Sequence, residues 1–317
     1  MTTRRCTQDQ SVVCFSNAQC NFGPCAVGDP RCANEPHTSC ATDDDCDLGA
    51  CAIDVCSSTR GGVFRECSQD TDCFDGTCSV GNGGAVINGK SRADGAEPGS
   101  ISIRAAGDIT LSQDVDVSSN SAQSDGGFLE LESGTGNVAV DAPVIAYGGV
   151  QSEGGGVEVS ADGNIRVNAL IDVDGGDYDG GFAHFTAGED LVINADIEAS
   201  STSGGGLGGE VIGIADRDLG ISEAVKIATN GHTSADNFGG DGGPQTYRAG
   251  RHLNIGAAVT IEADGAAPDG FGEDVIFESE EDMTIAGSVS ARGRGTQGGG
   301  TAIQVDSGGT FHAASSS

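Results

Sequence analysis

The chain has no tryptophan, three tyrosines and eleven phenylalanines in 317 residues. So few large rings cannot fill the cores of two or three ordinary globular domains, so its interior must be aliphatic and thin. Basic residues are scarce too: fifteen Lys and Arg stand against forty-eight Asp and Glu, a net charge of −33. Such a field repels phosphate backbones and anionic lipid headgroups, which excludes nucleic-acid and membrane-surface partners from the expected function. No apolar run approaches the roughly 18 residues of a membrane span, so no membrane insertion is expected. No G-x-S-x-G occurs, and none of the five histidines sits in a Ser or Cys nucleophile setting. Met1-Thr2-Thr3-Arg4-Arg5 leads straight to the first cysteine without an apolar stretch, so the expectation is a chain whose leader has been removed, or a piece of a longer protein that carries further coils.

Glycine is plentiful, at 53 residues, without the G-X-Y spacing of collagen. Glycine in that amount serves turns, and many turns imply many short strands.

Cysteine is absent after Cys78, and all twelve fall in the first quarter of the chain. The spacing C-x5-C-x4-C occurs at Cys14, Cys20 and Cys25, again at Cys40, Cys46 and Cys51, and again at Cys67, Cys73 and Cys78, with leading partners Cys6, Cys32 and Cys56. Three four-cysteine modules result, and two share the form C-x-x-D-x-D-C-x-x-G-x-C. Structural zinc sites favour C-x2-4-C pairs, which these spacings do not supply, so disulfides are the expectation and metal the alternative. Three connectivities per module stay open. Each bridge would contribute about 2–4 kcal/mol to modules with almost no apolar core. A disulfide framework requires an oxidising compartment, which points to a secreted or cell-surface location. The pattern resembles the short cysteine-rich repeats of secreted bacterial proteins.

Residues 1–81 therefore form the cysteine-rich region, 82–98 a linker or cap, and 99–317 a region of different construction. There a short alternating strand, a Gly/Asp turn, a second strand, a bend, a third strand and a Gly-rich loop recur. Val157-x-Val159, Ile165-x-Val167 and Ile171-x-Val173 make one unit, repeated 26 residues later as Ala183-x-Phe185, Leu191-x-Ile193 and Ile197-x-Ala199. Origins at Ile101, Leu129, Val157, Ala183, Ile212, Gln245, Val275 and Ile303 give a period of 26 to 33, with offsets near eight and six to strands two and three. The third strands of two later units are placed at Val225 and Val259, the bend before them is read as constant in length, and the long loop as absorbing the variation. Strands this short cannot bury a face alone, whereas stacked coils about 4.8 Å apart build a continuous column. The fold expected is an all-β, right-handed parallel β-helix of about eight coils with three strands each.

The runs Gly154–Ala169 and Ala187–Ala195 resemble coils of filamentous-haemagglutinin-type adhesins. The resemblance implies an exported β-helix and suggests adhesion. The expected function is an extracellular structural or adhesin-type protein whose Gly/Asp-rich loops meet a glycan or another surface ligand. A carbohydrate-active hydrolase or lyase on the same scaffold is the alternative, with Asp216, Arg217, Asp218, Arg248, Arg251 and His252 as its nearest candidates, but an ion-pair ladder explains those residues more simply.

Carboxylates on small turns are the ligand type a hard cation prefers, so Asp174, Asp177 and Asp179 are candidate calcium ligands; solvated turn chemistry is the alternative and no other cofactor is expected. The longest loop, Ala228 to Pro244, holds Asn230, His232, Asp236, Asn237, Phe238 and Asp241 as candidate ligand-binding residues, with Phe238 either exposed or folded back on the rod. Asn168 and Asn194 read as a stacked amide ladder.

Overall fold

The structure is a computed structural model that describes residues 98–313 except 120, 223, 237 and 297; ahead of residue 98 it describes the backbone of short strands only. Two compact units, Met1–Asn88 and Gly89–Ser317, divide the chain. In the first, Arg4–Cys6 lies between Asp9–Val13 and Cys25–Val27, and Arg31–Cys32 pairs with Glu35–Ser39, all antiparallel. Val55–Cys56 likewise pairs with Cys78–Ser79. Of the twelve cysteines expected to form disulfides, Cys14, Cys20, Cys40, Cys46, Cys51, Cys67 and Cys73 lie outside the described residues. The side chains of Cys6, Cys25, Cys32, Cys56 and Cys78 lie outside them too, as does most of the 82–98 linker.

The second unit is a parallel β-solenoid of about eight turns, and among the described residues it is all-β. The first strand of each coil, from Ser100–Ala105 through Gly156–Ala161 to Ile303–Ser307, pairs in parallel with its equivalents above and below. The second strands, from Ile109–Leu111 to Phe311–Ala313, make another sheet, and the third, from Val115–Asp116 to Ser288–Ser290, a third. Alternation decides the faces: Val157, Val159, Ile165, Val167, Ile171 and Val173 are fully buried, while Arg166 between two of them is exposed. Each such aliphatic side chain contributes about 1.5–3 kcal/mol by leaving water, and no coil could bury them without its neighbours.

Register corrects three readings. Ala183 stands opposite Val211, not Ile212, and Val211 opposite Gln245. Val211 is buried and Ile212 and Ile214 turn outward, which puts Gly213 in the column. The reason is volume: a Cβ on Gly213 would lie 3.1 Å from Leu191 and 3.4 Å from Tyr247, so the glycine makes room for the tyrosine ring of the next coil. The bend before strand three is not constant either. Ile197 pairs with Ile227, and Ile227 with Ile261, so the paired residues are Ile227 and Ile261 in place of Val225 and Val259. All four are buried, and the bend in these two coils is two residues longer, with its additional apolar residue filling the corner.

Tyr247 is fully buried, stacked on Phe277 at 5.5 Å between centroids, and its hydroxyl donates to Gln245 Oε1 at 2.6 Å. Gln245 Nε2 donates in turn to Thr229 Oγ1 and to the Glu262 carbonyl, and Thr229 Oγ1 donates to the Gly243 carbonyl. Polar groups inside a thin apolar column are tolerated because each finds a partner.

Five successive loops return to strand one through glycine. In the column Gly127, Gly155, Gly181, Gly209 and Gly243, an added Cβ would fall 1.7–2.5 Å from the carbonyl oxygen of the glycine one coil earlier. Their amides donate to the carbonyls of Val117, Ala146, Val173, Ala199 and Thr229 in the same coil, which ties the loop across its base. Side chains are excluded there by backbone approach, and the glycine count follows from geometry as well as from turns.

Candidate functional site

Corners of a solenoid leave backbone N–H groups that sheet pairing does not reach, and short polar side chains satisfy them. At the turn before strand two, Asp108 Oδ1 accepts from the Asn137 amide at 2.7 Å, Asn137 Oδ1 from Asn164 and Asn164 Oδ1 from Asp190. Asp190 then serves Asp218, and Asp218 serves His252. Past strand two the expected amide ladder is present: Asn194 Nδ2 donates to Asn168 Oδ1 at 2.9 Å, and it extends to Asp141 below and Ser222 above. These columns support the coils.

The cationic turns are ion-paired along the same edge. Arg251 meets Asp218 at 2.7 Å, Arg217 meets Glu189 and Asp190, Arg248 meets Glu278 and His252 meets Glu281. Asp216 is exposed. Partly exposed pairs of this kind contribute little energy each, and their carboxylates are spread along the axis.

Acids do converge at the end of strand three. One oxygen each from Asp172, Asp174 and Glu198 lies within 4.8 Å of the others. Asp172 and Glu198 are opposite one another in neighbouring coils, and Asp174 follows two residues after Asp172 on the same face. Burial pushes the Asp174 carboxyl up to about 7, against the lowering effect of the Ser200 amide that donates to it at 2.6 Å. Burial also raises Asp172. Of the three expected calcium ligands only Asp174 joins this group. Asp179 Oδ1 accepts from the Leu207 amide at 3.1 Å, and Asp177 belongs to the loop beyond. The composition of the loop drew attention to Asp177 and Asp179, whereas the 26-residue repeat that aligns Asp172 with Glu198 was the signal for the actual cluster.

The long-loop residues also divide. Asn230 faces its neighbours: its amide donates to Ser200 Oγ, its Nδ2 to Glu262, and its Oδ1 accepts from the Asp264 amide. Asp264 Oδ1 then accepts from the Arg292 amide, so a second side-chain ladder runs Asp174, Ser200, Asn230, Asp264. Burial works to raise Asp264, but the Ser290 hydroxyl, the Arg292 amide and Arg294 together hold its carboxyl below the usual range. Asp241 Oδ1 accepts from the Phe271 amide at 2.7 Å. His232, Asp236 and Phe238 are exposed, Phe238 by 65%, so its ring does not fold back on the rod; Asn237 lies outside the described residues.

Phe238 has company that the sequence reading missed. Val150, Tyr178, Leu207 and Phe271 are 42–64% exposed, and with Phe238 they put one large apolar side chain on the long loop of each of five successive coils. The loops stack through backbone bonds, Asp177 N to Val150 O at 2.7 Å and Gly208 N to Asp241 O at 2.9 Å among them. The remaining exposed large hydrophobics, Ile303, Val305 and Phe311, belong to the last coil, with no further described coil above them.

The fold defines the class: a three-sheet parallel β-solenoid with a loop edge of mixed acidic and apolar character. No protein-family model, curated protein or solved structure matches the chain. No helix among the described residues is long and apolar enough to cross a membrane.

Proposed function

We propose that the chain is an exported, adhesin-like structural protein whose right-handed solenoid presents its long loops to a glycan or protein ligand at an extracellular surface. The observation that carries this is the file of exposed side chains from Val150 to Phe271, since water-facing aromatics and aliphatics on stacked loops add nothing to the column and mark an interaction edge. Right-handed crossover is the sense that parallel strands adopt in nearly all cases. Export follows from reading the twelve cysteines as six disulfides. The backbone register that sets Cys6 opposite Cys25 and Cys56 opposite Cys78, first and last cysteines of their modules, is consistent with bridging inside each module. Kinship with filamentous-haemagglutinin-type coils belongs to the same proposal.

A hydrolase or lyase is the second reading, favoured by one observation: Asp174, near 7, sits within 4.8 Å of two other carboxylates, a spacing close to the roughly 5 Å of paired glycosidase acids. Calcium is the cofactor the same three carboxylates would hold, with Asp174 giving up its proton as it binds. Glycan and matrix-protein arrays run beside a polysaccharide-hydrolysis screen separate the readings. Capture without turnover supports the adhesin; turnover lost in Asp174→Asn supports the enzyme.

A further inference from the structure

The long-loop edge is acidic as well as apolar. The loops 117–127, 146–155, 173–181, 199–209, 229–244 and 263–274 contain eleven Asp and Glu and no Lys or Arg. The next loop, 291–302, adds Arg292 and Arg294 and no acid, and Arg294 pairs with Asp264 at 3.0 Å, so the edge carries eleven acids against two cations. Arg104 and Arg248 on strand one meet Glu130, Glu132 and Glu278, Arg217 and Arg251 pair near the turn before strand two, and Lys226 pairs with Glu262. Over four coils of the edge, acids and apolar groups alternate from coil to coil. The Leu207 amide donates to Asp179 Oδ1, the Gly208 amide to the Asp241 carbonyl, and the Phe271 amide to Asp241 Oδ1. Asp179, Leu207, Asp241 and Phe271 therefore form one file across four coils, about 4.8 Å apart. Tyr178 and Phe238 flank it, with the Tyr178 carbonyl against Gly206 and the Phe238 carbonyl near Gly205.

We propose that this edge docks a cationic polypeptide segment that carries apolar side chains between its lysines or arginines. The inference rests on the reading of the long loops as the binding face, and it names the partner's chemistry. A polyanion is repelled by a face whose eleven acids outnumber its two arginines, one of them already paired with Asp264, and a neutral glycan draws nothing from its charge. A second copy of this chain brings another net −33. A basic amphipathic segment matches both features: its cations speed encounter and fix register, and its apolar side chains bury Leu207, Phe271 and their neighbours for affinity.

The test titrates the full chain with two synthetic peptides of equal length and charge, one alternating lysine with leucine and the other lysine with serine. The proposal predicts that the lysine–leucine peptide binds about tenfold tighter at physiological salt, a gap of about 1.4 kcal/mol. The gap closes in Tyr178→Ser/Phe238→Ser/Phe271→Ser, which changes no charge, and persists in Glu130→Gln/Glu132→Gln, which removes two charges from strand one. Equal affinities for the two peptides, or a triple variant that keeps the gap, overturn the proposal and leave only general attraction to an acidic protein. Should neither peptide bind while a glycan is captured by the wild type and not by the triple variant, the partner class is wrong and the binding edge stands. Should the triple variant keep all binding, the edge reading fails as well.

Discussion

The inward column of the solenoid and its long-loop edge are built from the same coils under opposite rules. In the column every position is read against the coils above and below. Gly213 is small because Tyr247 is large, and Gly209 has no side chain because the Gly181 carbonyl already occupies that space. At the edge, backbone stacking continues but the side chains are released from it, so Tyr178 and Phe238 can point to water without disturbing a neighbour. The difference teaches that a solenoid fixes the spacing of its surface groups while leaving their chemistry open.

The largest break in that contrast comes from a charge in the column. Val167→Asp should cost about 4 kcal/mol or more and leave much of the protein unfolded, whereas Arg166→Asp, one residue away and exposed, should shift stability by less than about 0.5 kcal/mol in urea titration. Similar losses for the two would mean that the faces are assigned wrongly. Next comes Gly209→Ala, whose methyl would meet the Gly181 carbonyl oxygen at 1.8 Å; a loss of about 2–3 kcal/mol is expected, and a neutral result would show that the glycine file is dispensable. Tyr247→Phe removes the donor to Gln245 Oε1 in a dry interior and should cost about 1–2 kcal/mol by thermal melting, with secondary structure intact.

Asp174 sharpens the comparison because it sits where column passes into edge. Burial holds its carboxyl near 7, so folding favours the protonated form: its contribution to stability is full below about pH 4 and is lost as pH rises through about 7. Asp174→Asn keeps an oxygen for the Ser200 amide and cannot ionise. It should therefore gain on the wild type between pH 4 and pH 8, by about 1–2 kcal/mol after allowance for residual exposure. A constant difference across that range would show that the carboxyl titrates normally.

The column was legible in the sequence where alternation was clean. The unit at Val157, Ile165 and Ile171 and its repeat at Ala183, Leu191 and Ile197 occupy the registers their spacing implied. It was misread where apolar residues occurred on both faces. Val211, Ile212 and Ile214 offer two alternations, and only the volume of Tyr247 in the next coil selects between them. Val225 and Ile227 are both buried, so hydrophobicity alone could not say which one pairs. The edge was less legible. Phe238 drew notice because its loop is longest, yet Tyr178, Leu207 and Phe271 become a surface only when their coils are stacked. Asn230 looked like a ligand group, but corner amides claim it first.

The proposed division between supporting column and binding edge is tested most directly by measuring stability and binding on one protein, the Tyr178→Ser/Phe238→Ser/Phe271→Ser variant. The side chains it removes are 45–65% exposed, so its urea midpoint should stay close to the wild type, within about 0.5 kcal/mol per site, while capture of surface ligands is lost. A variant that unfolds early, or that binds everything the wild type binds, would contradict the division.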